Sequence, residues 1–523
     1  MKQPRLHQLE ALTAMNNVNE GIIHLPTGTG KTFIQALSIY KSLGDAFKWV
    51  HENYTNEDIP VYVILSPRII LSNQLYSEVK SILTENNKDC QYLIVHSGHT
   101  SDTNVWGNLP YRKVESTTSS YVIRKEYEKA VTEQVPLIIF GTYDSAERIV
   151  QARIPVYMML GDEGQYLVSN DFGWIPKENE VDNVKQFNAH RKYYFTATLK
   201  TTSSNEGYGM NNEKLFGPII YSKTPLEMIQ RGEIVRPRMH IVNVKQEEEA
   251  SIEDMDANAV RDSFIEHKAV QQNIGAKLLV VTQGSEALDR IVKHPIIKQL
   301  LKTRPSLKIF DITSAFGARV YDYNNIDGSQ ITRDEFLSQI QNMDDTQDAI
   351  IFHINILSEG IDVPGITGVM IMNNMKLSKF LQTLGRATRL HKIDREHLYN
   401  NVIKPDDLKQ FIKPYAWIII PIYDEIGHDL RDSIKDIVWS LRDYGFNAAE
   451  DVVIKKSKGS SIPEPIDELN EVDRRATIYH EILLDVEHEI ESEDEANNLS
   501  RVTEYLKELN IDEEIEEELK KYL

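Results

Sequence analysis

Pro26-Thr-Gly-Thr-Gly-Lys-Thr32 places two glycines, a lysine and three threonine hydroxyls within seven residues. A short apolar run, Gly21–Leu25, leads directly into this string, and the helical pattern Phe33, Ala36, Leu37, Tyr40 follows at once. Strand, glycine-rich turn and helix in this order make a phosphate-binding loop. Gly28 and Gly30 let backbone N–H groups turn inward, with Thr29 between them, and the following helix directs its positive end at the same charge. Lys31 is expected to neutralise phosphate, and Thr32 to hold Mg²⁺. Leu25 stands where the general pattern has its first glycine. Farther along, Asp162 and Glu163 follow the apolar run Tyr157–Leu160. They suit the two remaining tasks of phosphate-transfer chemistry, Asp162 in the metal shell and Glu163 orienting an attacking water.

Such side chains need a rigid frame, and the chain carries the pattern of one. Short β-branched runs alternate with helical patterns, as in parallel βαβ units. The first set is Gly21–Leu25, Val61–Ser66, Tyr92–His96, Leu137–Gly141, Tyr157–Gly161 and Tyr193–Thr196. The second is His240–Val244, Lys277–Thr282, Lys308–Ile312, Ala349–Ile354, Gly368–Met372 and Ala416–Ile422. Two α/β layers are expected, with a boundary near residue 235, where Gly232 and Pro237 are read as interrupting regular structure. Beyond Tyr423 the strand signal stops. Ile434, Ile437, Val438 and Leu441 follow helical spacing, Lys456–Pro465 reads as a loop, and the remainder is acidic and helix-prone.

At 523 residues, 41% hydrophobic and 26% charged, the chain has material for two or three cores. One cysteine, Cys90, excludes an internal disulfide and any metal centre built on several thiolates, and reads as a small core residue. No secretory signal is expected, and the longest apolar run, Tyr415–Tyr423, is far shorter than the roughly 20 residues a membrane helix needs. A cytoplasmic protein with no membrane partner is expected, from a bacterial or phage-infected cell before a nucleus. The net charge of −21 is unusual for a binder of nucleic acid. However, Glu464–Leu523 holds 21 acidic against 6 basic residues, a net −15, and leaves only −6 for the rest. A near-neutral body can present a basic groove, and the tail is a candidate for docking a protein partner.

Seven segments in one order make the chain similar to the superfamily 2 helicases over nearly all of residues 1–425. Arg5-Leu-His-Gln-Leu-Glu-Ala11 resembles the adenine-recognition motif, and Pro26–Thr32 resembles motif I. Ser66-Pro-Arg68 is similar to motif Ia, Gly141-Thr-Tyr143 to motif Ib, and Phe195-Thr-Ala-Thr198 to motif III. Leu357–Pro364 looks like motif V, and Gln382-Thr-Leu-Gly-Arg-Ala-Thr-Arg389 like motif VI. The resemblance implies an α/β fold of two RecA-like parallel-sheet domains in tandem, residues 1–235 and 236–425, with a mainly helical acidic extension over 426–523. It implies ATP with Mg²⁺ as cofactors, Arg5 and Gln8 at the nucleotide base, and Gly360 and Asp362 coupling nucleotide state to the bound strand. Pro67, Arg68 and Thr142 would meet nucleic acid. Arg386 and Arg389 would act on the γ-phosphate as arginine fingers, and Gln165, Thr196, Thr198 and Gln382 would couple hydrolysis to movement.

One departure stands out. Motif II usually ends in His or Asp, whereas here Asp162-Glu-Gly-Gln165 ends in an amide that can still hydrogen-bond motif III. This argues against the DEAD-box RNA helicases. Arg5–Ala11 and the stretch around Gly232 look closer to restriction-enzyme motor subunits and phage recombination helicases, so DNA is favoured over RNA. The alternative reading is a motor or binding subunit of a restriction or defence complex, or an RNA helicase. No nuclease constellation accompanies the motor. His96 and His99 read as a loop rather than a metal pair, and Trp106, Tyr111 and Tyr121 are placed with Arg112, Lys113, Arg124 and Lys125 in an irregular stretch that could stack single strands.

Overall fold

A computed structural model describes residues 3–96, 115–168, 187–201, 209–243, 251–271, 274–282, 284–313, 315–354, 365–372, 383–422, 437–438, 441–447 and 451–454. Of the expected helical extension over 426–523 only 437–438, 441–447 and 451–454 are described, and there Val452–Ile454 is not helix but a strand paired with 239–241 of the second unit's sheet. The chain forms two compact units, which divide between Ile234 and Val235.

Among the described residues of the first unit, eight strands form one sheet: β1 (Glu20–His24), β2 (Val61–Ser66), β3 (Gln91–Val95), β4 (Glu115–Thr117), β5 (Leu137–Thr142), β6 (Val156–Asp162), β7 (Ala189–Thr196) and β8 (Ile219–Ser222). Their spatial order is β4-β3-β5-β2-β6-β7-β1-β8, and every pairing is parallel. The reason is visible in the side chains. Val61–Ser66 and Val156–Asp162 are buried at every position, because helices cover both faces and leave no polar side for alternation. Four helices matter below: α1 (Leu6–Asn17), α2 (Lys31–Asn53), α3 (Ile69–Glu85) and α4 (Ser120–Glu133). Two apolar clusters line the sheet, one around Val63, Leu93 and Ile139, the other around Ile34, Tyr62 and Phe140. Cys90 belongs to the second, and burial pushes its thiol up to about 12.

Among the described residues, the second unit carries a nine-stranded sheet. Its strands are β9 (Arg236–Asn243), β10 (Lys277–Val281), β11 (Leu307–Thr313), β12 (Gly317–Asp322), β13 (Asn325–Ile331), β14 (Asp348–His353), β15 (Gly368–Ile371), β16 (Tyr415–Ile422) and β17 (Val452–Ile454). The order is β13-β12-β11-β14-β10-β15-β16-β9-β17. It is parallel except for the β12–β13 hairpin, which pairs antiparallel on the edge of β11. Asp311 on β11 takes both the Arg319 guanidinium and the Tyr321 hydroxyl of β12, which ties the hairpin to the sheet.

Two expectations need correction. Pro237 does not interrupt regular structure: it sits inside β9 opposite Ala416, and β17 joins the other side of β9 only from Met239. A residue without an N–H is tolerated where, among the described residues, one side of the strand has no ladder partner. Nor are Tyr121, Arg124 and Lys125 in an irregular stretch, since they lie on α4. There Arg124 binds Glu128 and the Arg153 carbonyl, and Lys125 lies over the Tyr121 ring. Trp106, Tyr111, Arg112 and Lys113 lie outside the described residues.

Candidate functional site

Parallel strands deliver their C-terminal ends to one edge of a sheet, where ligands of such folds bind. In the first unit that edge gathers five segments far apart in sequence. Across the order β5-β2-β6-β7-β1 run Thr142, Pro67 and Arg68, Asp162 and Glu163, Thr196 to Thr198, and Pro26 to Thr32. Thr142 is buried and its hydroxyl meets that of Ser145 at 2.9 Å. Pro67 is half-buried and Arg68 exposed where the chain enters α3.

The phosphate loop follows β1. Leu25, the departure from the general pattern, is fully buried, and its N–H donates to Thr196 O at 3.0 Å. It extends the β1–β7 ladder by one step, which a core side chain does as well as glycine. Gly28 and Gly30 both have φ of 86°, the left-handed region that glycine enters without penalty. Lys31 is buried and donates from Nζ to Leu25 O at 3.0 Å. Thr32 is half-buried in the first turn of α2, which has no side-chain cap and no acidic residue there. The helix therefore directs its positive end at an anion with no side-chain cap or acidic residue of its own first turn competing for it.

The N-terminal segment braces this loop. Arg5 Nη2, His7 Nε2 and Gln8 Nε2 lie 2.5, 2.8 and 3.1 Å from the carbonyl oxygen of Thr29. The Gln8 amide is used at both ends, since Oε1 accepts from the Arg5 N–H at 2.9 Å. Glu233 holds the same group from behind, 2.5 Å from Arg5 Nη1 and 3.2 Å from His7 Nδ1. Burial alone would raise the Glu233 carboxyl, but the contacts from His7 and Arg5 outweigh it and hold the group below the usual carboxylate range. His7 and Glu233 were not singled out in the sequence. The only pointer to Glu233 was its place beside Gly232, which carries a φ of 68°.

Asp162 ends β6, buried, with Oδ1 accepting from Gln35 Nε2 of α2 at 2.8 Å. The Tyr143 hydroxyl donates to the Asp162 backbone carbonyl at 2.6 Å. Burial and then the neighbouring Glu163 charge push the Asp162 carboxyl up to about 7, against the opposing pull of Lys31 and Gln35. A carboxylate buried beside a second carboxylate fits a divalent cation, whose charge would favour its ionised form. Glu163 follows with φ of 53°. Gln165 Nε2 donates to Glu163 Oε2 at 2.7 Å, and Gln165 Oε1 accepts from the Thr196 hydroxyl at 2.6 Å. Thr196 Oγ1 also accepts from the Thr198 N–H at 3.0 Å. A continuous polar chain thus runs from Glu163 through Gln165 to Thr196 and Thr198. Gln35 was missed because it stands in no recognisable local pattern, and Tyr143 was read only as the last residue of the Gly141–Tyr143 segment, with no role of its own.

In the second unit, Arg386 is buried within the helical stretch 383–387, and Arg389 is half-buried just after it. Burial, then Arg395, hold the Arg389 guanidinium down to about 10. Gln382, Gly360 and Asp362 lie outside the described residues. So does His99, while His96 is buried at the end of β3 and held below its ordinary range by burial. Among the described residues no group of three or more His, Cys, Asp or Glu side chains could hold a metal ion, and no helix is long and apolar enough to cross a membrane.

Comparison with known proteins matches residues 5–206 to the DEAD/DEAH box helicase family and residues 261–391 to the helicase conserved C-terminal domain. No curated protein matches the chain by sequence. Among solved structures, it is similar to the ATP-dependent type ISP restriction-modification enzyme LlaBIII bound to DNA. The identity is 16% and the TM-score 0.61, over 97% of this chain and 35% of that one. A nuclease-deletion mutant of the type ISP enzyme LlaGI, in complex with a DNA substrate mimic, gives 15% identity and a TM-score of 0.57 over 97% and 34%. The chain spans about a third of the length of these two enzymes. Dbp5 of S. cerevisiae, bound to RNA and ADP BeF3, gives 12% identity and a TM-score of 0.48 over 93% and 94%.

Proposed function

Since the chain belongs to the superfamily 2 helicases, a family of ATP hydrolases, we propose that it is a nucleic-acid-stimulated translocase that works on DNA. The observation that carries the reading is the polar chain Glu163–Gln165–Thr196–Thr198 beside the phosphate loop. It links the group suited to orient water with the adjoining strand end, so a change at the γ-phosphate has a path of hydrogen bonds to follow.

In this reading Lys31 and the N-terminus of α2 hold the triphosphate, and Thr32 and Asp162 would hold Mg²⁺, whose charge would offset negative charge on the phosphates. Glu163 accepts a proton from the attacking water, while Arg5 and Gln8 place the nucleotide base against the braced loop. Arg386 and Arg389 act on the γ-phosphate, a task worth about 10³- to 10⁵-fold in related phosphoryl transfer. Pro67, Arg68 and Thr142 contact the nucleic-acid backbone.

The preference for DNA rests on the likeness of Arg5–Ala11 and of the stretch around Gly232 to restriction-enzyme motors and phage recombination helicases. The two DNA-bound restriction-modification enzymes of similar fold are in keeping with it. The matched family description does not itself choose between DNA and RNA. The test is ATP turnover by the purified chain with matched DNA and RNA strands. Stimulation by DNA well beyond that by RNA supports the reading, and the reverse makes the protein an RNA motor. Turnover that stays flat with both, and rises only with a protein partner, favours a subunit of a larger complex.

A further inference from the structure

Three consecutive carbonyls immediately after Arg386 are each tied by a donor from elsewhere in the second unit. Lys413 Nζ lies 2.5 Å from Ala387 O and 2.6 Å from Arg389 O. Between them, the Val235 N–H donates to Thr388 O at 2.8 Å. Lys413 is 1% exposed, and Ala387 and Thr388 are fully buried. The lysine is itself anchored: Asp394 at the start of the helix Lys392–Tyr399 accepts the Ile412 and Lys413 backbone N–H groups at 2.7 and 2.9 Å.

Burying an amine here is costly. Burial, then Arg389, push the Lys413 amine down to about 7, with Asp394 opposing. An apolar side chain of similar length would fill the space more cheaply, but would take the amine donor away from both carbonyls. Charged or neutral, the amine has at least two N–H bonds for the two carbonyls. What it secures is the orientation of the peptide groups on which two arginines are mounted.

We propose that Lys413 is a positioning residue for Arg386 and Arg389, fixing the backbone from Ala387 to Arg389 so that both guanidinium groups are held ready for transition-state charge. The inference rests on the reading of these arginines given above. A side chain that must meet developing charge gains from being fixed beforehand, because the reorganisation is then not part of the barrier.

The test uses the full chain in steady-state ATP turnover at saturating nucleic acid, with nucleotide affinity read from a fluorescent ATP analogue. Lys413→Met is expected to lower kcat by about ten- to a hundred-fold, the scale of a misplacement near 1 Å. ATP affinity should stay within about two-fold, since a transition-state interaction is lost rather than a ground-state one. Lys413→Arg, which keeps donors at that position, should recover part of the loss. In an Arg386→Ala/Arg389→Ala background, Lys413→Met should add no further loss.

Wild-type turnover in Lys413→Met overturns the proposal. So does an equal fold-loss in the arginine-less background, which would mean the lysine acts on something else. Failure of both Lys413 variants to fold, judged by circular dichroism, would assign the amine to the core and overturn it too. If the double arginine variant turns over normally, the reading of the arginines fails and the task of Lys413 goes with it. If that variant is impaired while Lys413→Met is not, only the present inference fails.

Discussion

Gln165 donates to Glu163 through Nε2 at 2.7 Å, so the residue that departs from the family pattern is bonded to the residue suited to orient water. Its carbonyl end is engaged by Thr196, and this pairing defines which end of the amide is nitrogen, because a carboxylate accepts and a hydroxyl can donate. Gln165→Leu keeps the volume and removes both bonds. The expected outcome is a fall in the ratio of stimulated to basal ATP turnover, measured with and without nucleic acid. An unchanged ratio would mean that the chain from Glu163 to Thr198 does not transmit.

Lys31→Ala and Glu163→Gln should separate binding from chemistry. Lys31 lies in the phosphate loop, so its loss should weaken nucleotide affinity. Glu163→Gln should leave binding intact and trap ATP, which a single-turnover assay with a filter-bound nucleotide would read. Normal hydrolysis by Glu163→Gln would show that the Asp162–Glu163 assignment is wrong.

Gly30→Ala should loosen the brace on the loop. A Cβ there would stand 2.6 Å from Gln8 Nε2, on a backbone with φ of 86°. The left-handed conformation alone costs a non-glycine residue roughly 1–2 kcal/mol. The flexible Gln8 end can move aside, so the protein should fold with a lowered Tm and a weaker grip on ATP. Unaltered nucleotide affinity would show that the contacts on the Thr29 carbonyl do not shape the pocket.

Lys413 also predicts a pH dependence of stability. Its amine is near 7 when folded and returns to about 10.4 when unfolded. Between those values the unfolded chain binds more protons, so stability rises with pH across that window and the gain is lost as pH falls through about 7. Urea unfolding of the second unit at about pH 7 and pH 9.5 should show the difference, and Lys413→Met should flatten it. The same slope in the variant would assign it to another group.

Deletion of Glu464–Leu523, which carries −15 of the −21 net charge, tests whether the tail competes with nucleic acid. Competition of this kind weakens with salt, since the Debye length is about 8 Å at physiological ionic strength. The truncated protein should bind nucleic acid more tightly at low salt, with an advantage that shrinks as salt rises. Equal affinities across the titration would rule out competition, and loss of a captured partner on truncation would point to docking.

Local chemistry was legible in the amino-acid sequence. The phosphate loop, Asp162–Glu163 and the buried strands of both sheets announce themselves because glycine conformation, helix ends and two-sided burial each restrict residue type at a fixed spacing. The β12–β13 hairpin escaped notice because its strands are polar and its turn, Tyr323-Asn324, lacks glycine and depends on Asp322 Oδ1 accepting from the backbone N–H groups of Asn324 and Asn325. Glu233 behind Arg5, Gln35 on Asp162, and Lys413 beneath Ala387 and Arg389 were decided only by the tertiary structure. Each pair is separated by 24 to 228 residues, and no periodicity reports such a distance. The chemistry of a group belongs to its residue type, but its partners are set by which strand ends and loops the fold brings together.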